Sequence, residues 1–229
     1  MTSRLKIYQF AHSPFCVAIV QALRAAGIEP ELVHVSNADR SAIIRLTGGA
    51  YYQVPVLVDG DRIIYESSPD SQDIAAYLDE HYLSGFLFPD RTKGWQTIVN
   101  GYLENEVESV TFKVNDAVLI PEIDDVVERT LIVRHKERKF GVGCIDRWAR
   151  ERESLMSRAV SLLLPFEQVL DQGDRFLFGA LPVYTDFLLF GILENLTFHK
   201  KSELPNELTA ITVWRERLAG FRYELPRHR

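Results

Sequence analysis

The sequence predicts a two-part chain: an α/β domain of order β-α-β-α-β-β-α with a mixed sheet, then an all-helical domain. Three observations predict it. Strand and helix signals alternate over the first eighty residues. The run VPVLVDGDRIIY places Asp59-Gly60 between two β-rich segments, which is a hairpin signal. After LSGFLFPDRTKG, residues 83–94, strand signals fade and long helical patterns take over. The expected division is therefore 1–82, a linker over 83–94, and a helical domain over 95–229.

The elements follow in order. LKIYQF is a short apolar strand. PFCVAIVQALRAA has apolar residues at helical spacing, and Gly27 stands where a C-terminal cap would stand. ELVHV alternates like a strand. ADRSAIIRLT fits a short helix ended by Gly48-Gly49. The hairpin comes next, then a third helix over roughly 70–81. A strand, helix and parallel strand followed by an antiparallel hairpin gives a mixed sheet with helices on both faces. In the second part, helices are expected over 95–119, 145–171, 185–200 and 206–219. The charged stretch 120–143 is expected to be helical with breaks.

Composition narrows the function classes. An apolar fraction of 46% and a charged fraction of 25% are ordinary for a soluble globular chain. A net charge of −6 argues against nucleic acid as the main partner, since phosphate binding wants a basic face. No apolar run approaches the ~20 residues that span a bilayer, and MTSRLKIYQF has no signal-peptide apolar region. The two cysteines, Cys16 and Cys144, point to a reducing cytoplasm rather than a disulfide framework. The six histidines form no HExxH pattern and no pairing with cysteine, so no metal site is expected.

Three stretches can carry chemistry. In HSPFC, Ser13 is a preferred N-cap and Pro14 a preferred first helical residue. A hydroxyl there also sits where free N–H groups and the helix dipole favour an anion, such as a thiolate. Pro55 after Val54 either simply opens a strand or, with a cis bond before it, turns the Val54 backbone outward to meet a peptide-like ligand. In ESSPDSQDIAAYL, Ser68-Pro69 repeats the helix-start signal. Acidic and Ser residues there can cap a helix or recognise an amino-acid head group.

The order of these motifs resembles the glutathione transferase superfamily over essentially the whole chain. The motifs are SPFC, QVPVL opening a hairpin, an acidic-Ser pair before a helix ending in YL, and a helical domain containing FLFGALPVYTDFLLFG. The resemblance implies a thioredoxin-like first domain and a glutathione-dependent transferase of the serine type. Ser13 matches the hydroxyl that hydrogen-bonds the glutathione sulfur, with Phe15 beside it. Gln53 matches a position that reaches the glycine carboxylate, Val54 the residue whose backbone pairs with the cysteinyl portion, and Pro55 the cis-proline. The γ-glutamyl site has two candidate pairs. Counting forward from Pro55 gives Glu66-Ser67; counting back from Tyr77-Leu78 gives Asp70-Ser71, slightly preferred. The chain departs from the pattern at Val183, where a Ser or Thr N-cap is usual three residues before Asp186, so the capping box is half lost.

By the same resemblance the partners are glutathione as cosubstrate, an apolar electrophile and a second copy of the chain; composition and spacing add the expectation of no metal, nucleic acid or membrane. Phe10, Phe15, Tyr102 and Val110 are candidates to line the gap between domains. RHKERKFG and YTDFLLFG are similar to bacterial members related to the lignin β-etherase branch. A detoxification role follows from the family alone. Two rival readings stay open: a non-catalytic binding protein on the same fold, and a glutathione-linked reductase or thiol exchanger using Cys16.

Overall fold

The computed structural model describes residues 5–68, 72–199 and 202–224. Four strands form one mixed sheet in the order β2-β1-β3-β4. They are β1 (Lys6–Gln9), β2 (Glu31–His34), β3 (Val56–Asp59) and β4 (Arg62–Tyr65). β1 runs parallel to β2 and antiparallel to β3, and β3 pairs antiparallel with β4. Asp59 lies opposite Arg62, so the hairpin turn is Gly60-Asp61, one position on from the expected pair. Gly60 has φ 58°, a value glycine adopts without strain.

Alternation along the strands divides the core. Ile7 and Leu57, opposite each other, face a cluster with α1 (Pro14–Ala25) and α3 (Asp73–Leu78). Tyr8 and Val56 face the other way, toward Ile43 and Leu46 of α2 (Ser41–Leu46). Period-two alternation thus buries both faces of a sheet whose strands are only four residues long.

The second part is helical: α4 (Asp90–Tyr102), α5 (Glu108–Leu119), α6 (Val126–Phe140), α7 (Cys144–Arg150), α8 (Arg152–Asp171), α9 (Tyr184–Leu196) and α10 (Thr209–Gly220). Three expected boundaries move. The helix foreseen over 95–119 begins at Asp90, and a π-helical turn over Leu103–Val107 splits it into α4 and α5. The helix foreseen over 145–171 breaks at Glu151 into α7 and α8. The third helix begins at Asp73 and continues as a π-helical turn over Asp79–Leu83.

The stretch between the two parts is fastened. The buried Asp79 carboxylate accepts from the N–H groups of Leu87 (2.7 Å) and Phe88 (3.1 Å). The Leu87 carbonyl in turn accepts from Tyr184 N–H and Gln96 Nε2, both at 3.0 Å. One apolar core then runs through both parts, joining Ile7, Ile19 and Leu78 to Phe187, Leu188 and Trp214.

α9 is the centre of that core, with twelve of its thirteen residues buried. Its start relies on Asp186, as Val183 has no side-chain acceptor. The Asp186 carboxylate accepts from Val183 N–H (3.0 Å), Leu177 N–H (2.9 Å) and Trp214 Nε1 (3.0 Å). Burial pushes its carboxyl up to about 6, against the pull of those donors.

α9 packs most extensively on α1, and Gly191 allows the approach. A Cβ added at Gly191 would fall inside the Pro14 carbonyl oxygen and crowd the Ala18 nitrogen, both of them backbone. Gly191→Ala must push the two helices apart. We expect a loss of about 3 kcal/mol, the upper range for overpacking a core. For a chain of this size that is a melting temperature lower by about 6–12 °C, read by calorimetry.

Candidate functional site

Ser13 caps α1. Its backbone is extended, its Oγ accepts from Cys16 N–H at 3.4 Å, and Pro14 opens the helix. The site reading of this residue therefore adds to a cap that is present. Ser13 is largely buried yet lines a cleft of about 520 Å³ between the two parts of the chain. Phe10, Phe15, Gln53 and Val54 line the same cleft. The Val54–Pro55 bond is cis. The Val54 backbone makes no hydrogen bond with another backbone group among the described residues.

Glu66 and Ser67 follow β4 outside the lining of the cleft, with the Glu66 charge felt at Cys16. Their loop is organised around α3. The Glu66 carboxylate accepts from Asp73 N–H at 2.6 Å. The Asp73 carboxylate turns back and accepts from Ser67 Oγ (2.9 Å), Ser67 N–H and Ser68 N–H (2.7 Å). Burial pushes the Glu66 carboxyl up to about 7, opposed by the Asp73 N–H. The rival pair, Asp70 and Ser71, lies outside the described residues.

Two expected lining residues are elsewhere. Tyr102 packs on Phe166 and donates to the Leu162 carbonyl at 2.9 Å, and Val110 is buried. The wall is instead Glu108, Phe112, Asp116 and Leu119, one face of α5. The π-helical turn before α5 adds a residue to the ladder and rotates every face that follows.

Arg40 and Asn195 carried no signal beyond their own residue type. Arg40 is half-buried, with its guanidinium 4.1 Å over the Phe10 ring and Nε donating to the Asn37 carbonyl at 3.1 Å. Its two terminal nitrogens have no hydrogen-bond or ion-pair partner among the described residues, and it shares the cleft with Gln53. A guanidinium with two free nitrogens can take a carboxylate in bidentate form. Asn195 of α9 donates from Nδ2 to the His12 carbonyl at 2.7 Å, tying the segment before Ser13 to the helical part. α6 contributes His135, Lys136, Arg138 and Lys139, from the charge run RHKERKFG.

Cys16 is fully buried, and burial pushes its thiol up to about 11. It is a small core residue with no thiolate to offer at neutral pH. His12 is held below the usual imidazole range by burial; Asp116 opposes this, while Lys136 and Arg40 add to it.

Burial pushes the Glu108 carboxyl up to about 7, with Lys136 pulling it down and Asp116 pushing it up. The stability consequence has a definite sign. Below about pH 4.5 the group is protonated in both folded and unfolded chains. From there to about pH 7 the folded chain keeps a proton that the unfolded chain has released, so stability falls as pH rises. Glu108→Gln removes this slope. Its melting temperature relative to the parent should be higher at pH 8 than at pH 5, and a difference independent of pH would contradict the assignment.

Comparison with known proteins gives the arrangement its context. Residues 7–84 match the family model described as glutathione S-transferase, N-terminal domain. Glutathione S-transferase 4 of Zea mays is 38% identical over 68 residues, which is 29% of this chain and 30% of that relative's length. A glutathione transferase from Phanerochaete chrysosporium superposes with TM-score 0.79 at 19% identity, covering 97% of this chain and 99% of its own. A glutathione S-transferase of Ceriporiopsis subvermispora in complex with glutathione gives 0.75 at 16% identity, covering 98% and 100%. Glutaredoxin 2 of Salmonella typhimurium in complex with glutathione gives 0.66 at 23% identity, covering 95% and 94%. At these identities the structural likeness is one of fold. The first third of the chain thus matches a glutathione S-transferase N-terminal domain in sequence, and the whole chain shares the fold of glutathione transferase and glutaredoxin 2 structures.

Proposed function

We propose that the protein is a glutathione transferase of the serine type. The observation that carries this reading is the meeting of Ser13, Gln53, Val54 and Arg40 in one cleft at the N-terminus of α1. Ser13 Oγ already accepts one N–H, which leaves its proton to donate to a bound sulfur. A hydrogen bond to the charged form, with the helix dipole behind it, lowers the thiol pKa. The thiolate then attacks an electrophilic carbon; the carbon–sulfur bond forms and the leaving group departs. The nucleophile belongs to the cosubstrate, so the chain needs to supply none. Gln53 and Arg40 take the glycine carboxylate, the free Val54 backbone pairs with the cysteinyl unit, and Phe15 packs beside it.

For the γ-glutamyl end we propose Glu66-Ser67 rather than Asp70-Ser71. Ser67 already holds a carboxylate, that of Asp73, on its N–H and Oγ. The α-carboxylate of a γ-glutamyl group would take these donors by displacing the Asp73 carboxylate.

The thiol-exchange alternative is disfavoured by the burial of Cys16. A cytoplasmic setting fits two buried, unpaired cysteines. Among the described residues no helix is long and apolar enough to cross a membrane. A homodimer is supported by α4, which exposes Trp95 and Ile98, each 66% accessible. Trp95→Glu should shift a dimer to monomer by sedimentation; a parent that is itself monomeric removes the assembly.

The test of function is calorimetric and kinetic. The parent should bind glutathione, and Ser13→Ala should bind it nearly as well while kcat with an aryl halide falls about 100-fold, the cost of one preorganised donor. Unchanged turnover removes Ser13 from the mechanism. Ser67→Ala should weaken glutathione binding about tenfold. The same loss in Ser71→Ala instead would move the γ-glutamyl site to Asp70-Ser71. A parent that binds no glutathione at millimolar concentration supports the non-catalytic reading.

A further inference from the structure

We infer that His12 is a second catalytic residue, which takes the proton of the bound thiol and returns it to the oxygen of an epoxide-like electrophile. The inference rests on the transferase reading and deepens it. His12 adjoins Ser13 in the chain, and both line the cleft. The contacts that hold His12 leave its polar side-chain atoms unused. Its ring is flanked by Phe10 and Phe198, each with its centroid 5.6 Å away, and lies nearly parallel to Phe10 at 8°. Its backbone carbonyl accepts from Asn195 Nδ2 at 2.7 Å. Neither ring nitrogen has a hydrogen-bond partner among the described residues. A residue kept for stacking alone needs no nitrogens there.

The ring stands between the places of the two substrates. Ser13 marks the side of the sulfur. Toward the wall, Asp116 of α5 and Lys136 of α6 are near enough for their charges to act on the ring, as does Arg40, which precedes α2. α9 and the residues after it meet His12 through Asn195 and Phe198. Burial favours the neutral imidazole, Lys136 and Arg40 add to this, and Asp116 opposes it. A neutral ring has one nitrogen that accepts a proton and one that carries it. The S–H proton passes to the free nitrogen, leaving a thiolate on Ser13. The thiolate attacks an epoxide carbon: the carbon–sulfur bond forms, the carbon–oxygen bond breaks, and its electron pair goes to oxygen. The imidazolium gives its proton to that oxygen. The product is a hydroxy thioether, His12 is neutral again, and no other reactant is consumed. A halide leaves as a stable anion and uses only the first half of this cycle.

His12→Phe tests this, because it keeps the stack and removes the nitrogens; His12→Gln is the second variant, and melting temperatures check the fold of both. At neutral pH kcat should fall about 100-fold with styrene oxide and about tenfold with an aryl halide, the larger fall being the low end for a positioned acid–base group. Equal falls with the two electrophiles, or no fall, overturn the inference. So does a parent that turns over the aryl halide and not the epoxide.

Glutathione binding reads the first proton transfer without turnover. The parent should show the ultraviolet absorbance of a bound thiolate yet pass no proton to the medium, so its calorimetric enthalpy should be the same in buffers of different ionisation enthalpy. In His12→Phe the thiolate should fail to form or should release its proton to the buffer. A parent that forms the thiolate and releases the proton sends it to water, which overturns the inference and leaves the transferase reading standing. A parent that binds no glutathione overturns both.

Discussion

The position of the candidate site depends on one close approach, that of α9 to α1 at Gly191. α1 carries Ser13 at its first turn, and α9 belongs to the helical part. Backbone-to-backbone packing at Gly191 fixes the distance between them. Asn195, one turn further along α9, holds the His12 carbonyl and so fixes the segment leading into Ser13. Asp186, one turn the other way, anchors the start of α9 by collecting three N–H donors. The acceptor missing at Val183 is replaced by Gln96 Oε1, which takes Thr185 N–H at 3.2 Å, and by the Leu87 carbonyl, which takes Tyr184 N–H. A buried carboxylate with three donors is satisfied; with one donor it would be a desolvation cost.

This explains why the two parts share one core. A hinge at the cleft would need water-exposed backbone or few apolar contacts there. Instead Asp79, Gln96 and Tyr184 clamp the connecting segment through Leu87 and Phe88. Such a frame keeps Ser13 opposite the α5 wall. Transfer chemistry of the proposed kind depends on that placement, because a thiolate gains rate only when its carbon target is held within reach.

What the sequence revealed was local. Ser13-Pro14 announces a helix start because capping is decided within four residues, and the start is where it was expected. The mixed sheet follows from alternation and the hairpin, with the turn displaced by one residue because register is a property of the pair and not of one strand. The α5 wall was not legible. A π-helical turn leaves no mark in apolar spacing, and in α5, which follows it, Glu108 and Phe112 line the cleft while Val110 is buried. Arg40 was not legible either, since its importance lies in Phe10 beneath it and Gln53 beside it, contacts that only the fold creates. In the Glu66–Asp73 loop, motif counting gave two registers because the spacing between a hairpin and a helix does not say which residue caps which.

The first turn of α1 shows how the fold chooses among chemistries. It holds a hydroxyl and a thiol three residues apart, Ser13 and Cys16. Intrinsically the thiol is the better nucleophile. Burial acts most strongly on the Cys16 thiol, although the Ser13 side chain reaches its sulfur and pulls the pKa down, and only Ser13 lines the cleft. Cys16 goes into the apolar cluster with Ile43 and Val56, where burial raises its pKa to about 11 and removes the thiolate. Ser13 stays at the cleft as a donor that cannot itself ionise near neutral pH. A site of this kind can stabilise a thiolate brought by a ligand, but it has no thiolate of its own. Exchange chemistry would require the two residues to trade places, whereas transfer chemistry requires them where they stand.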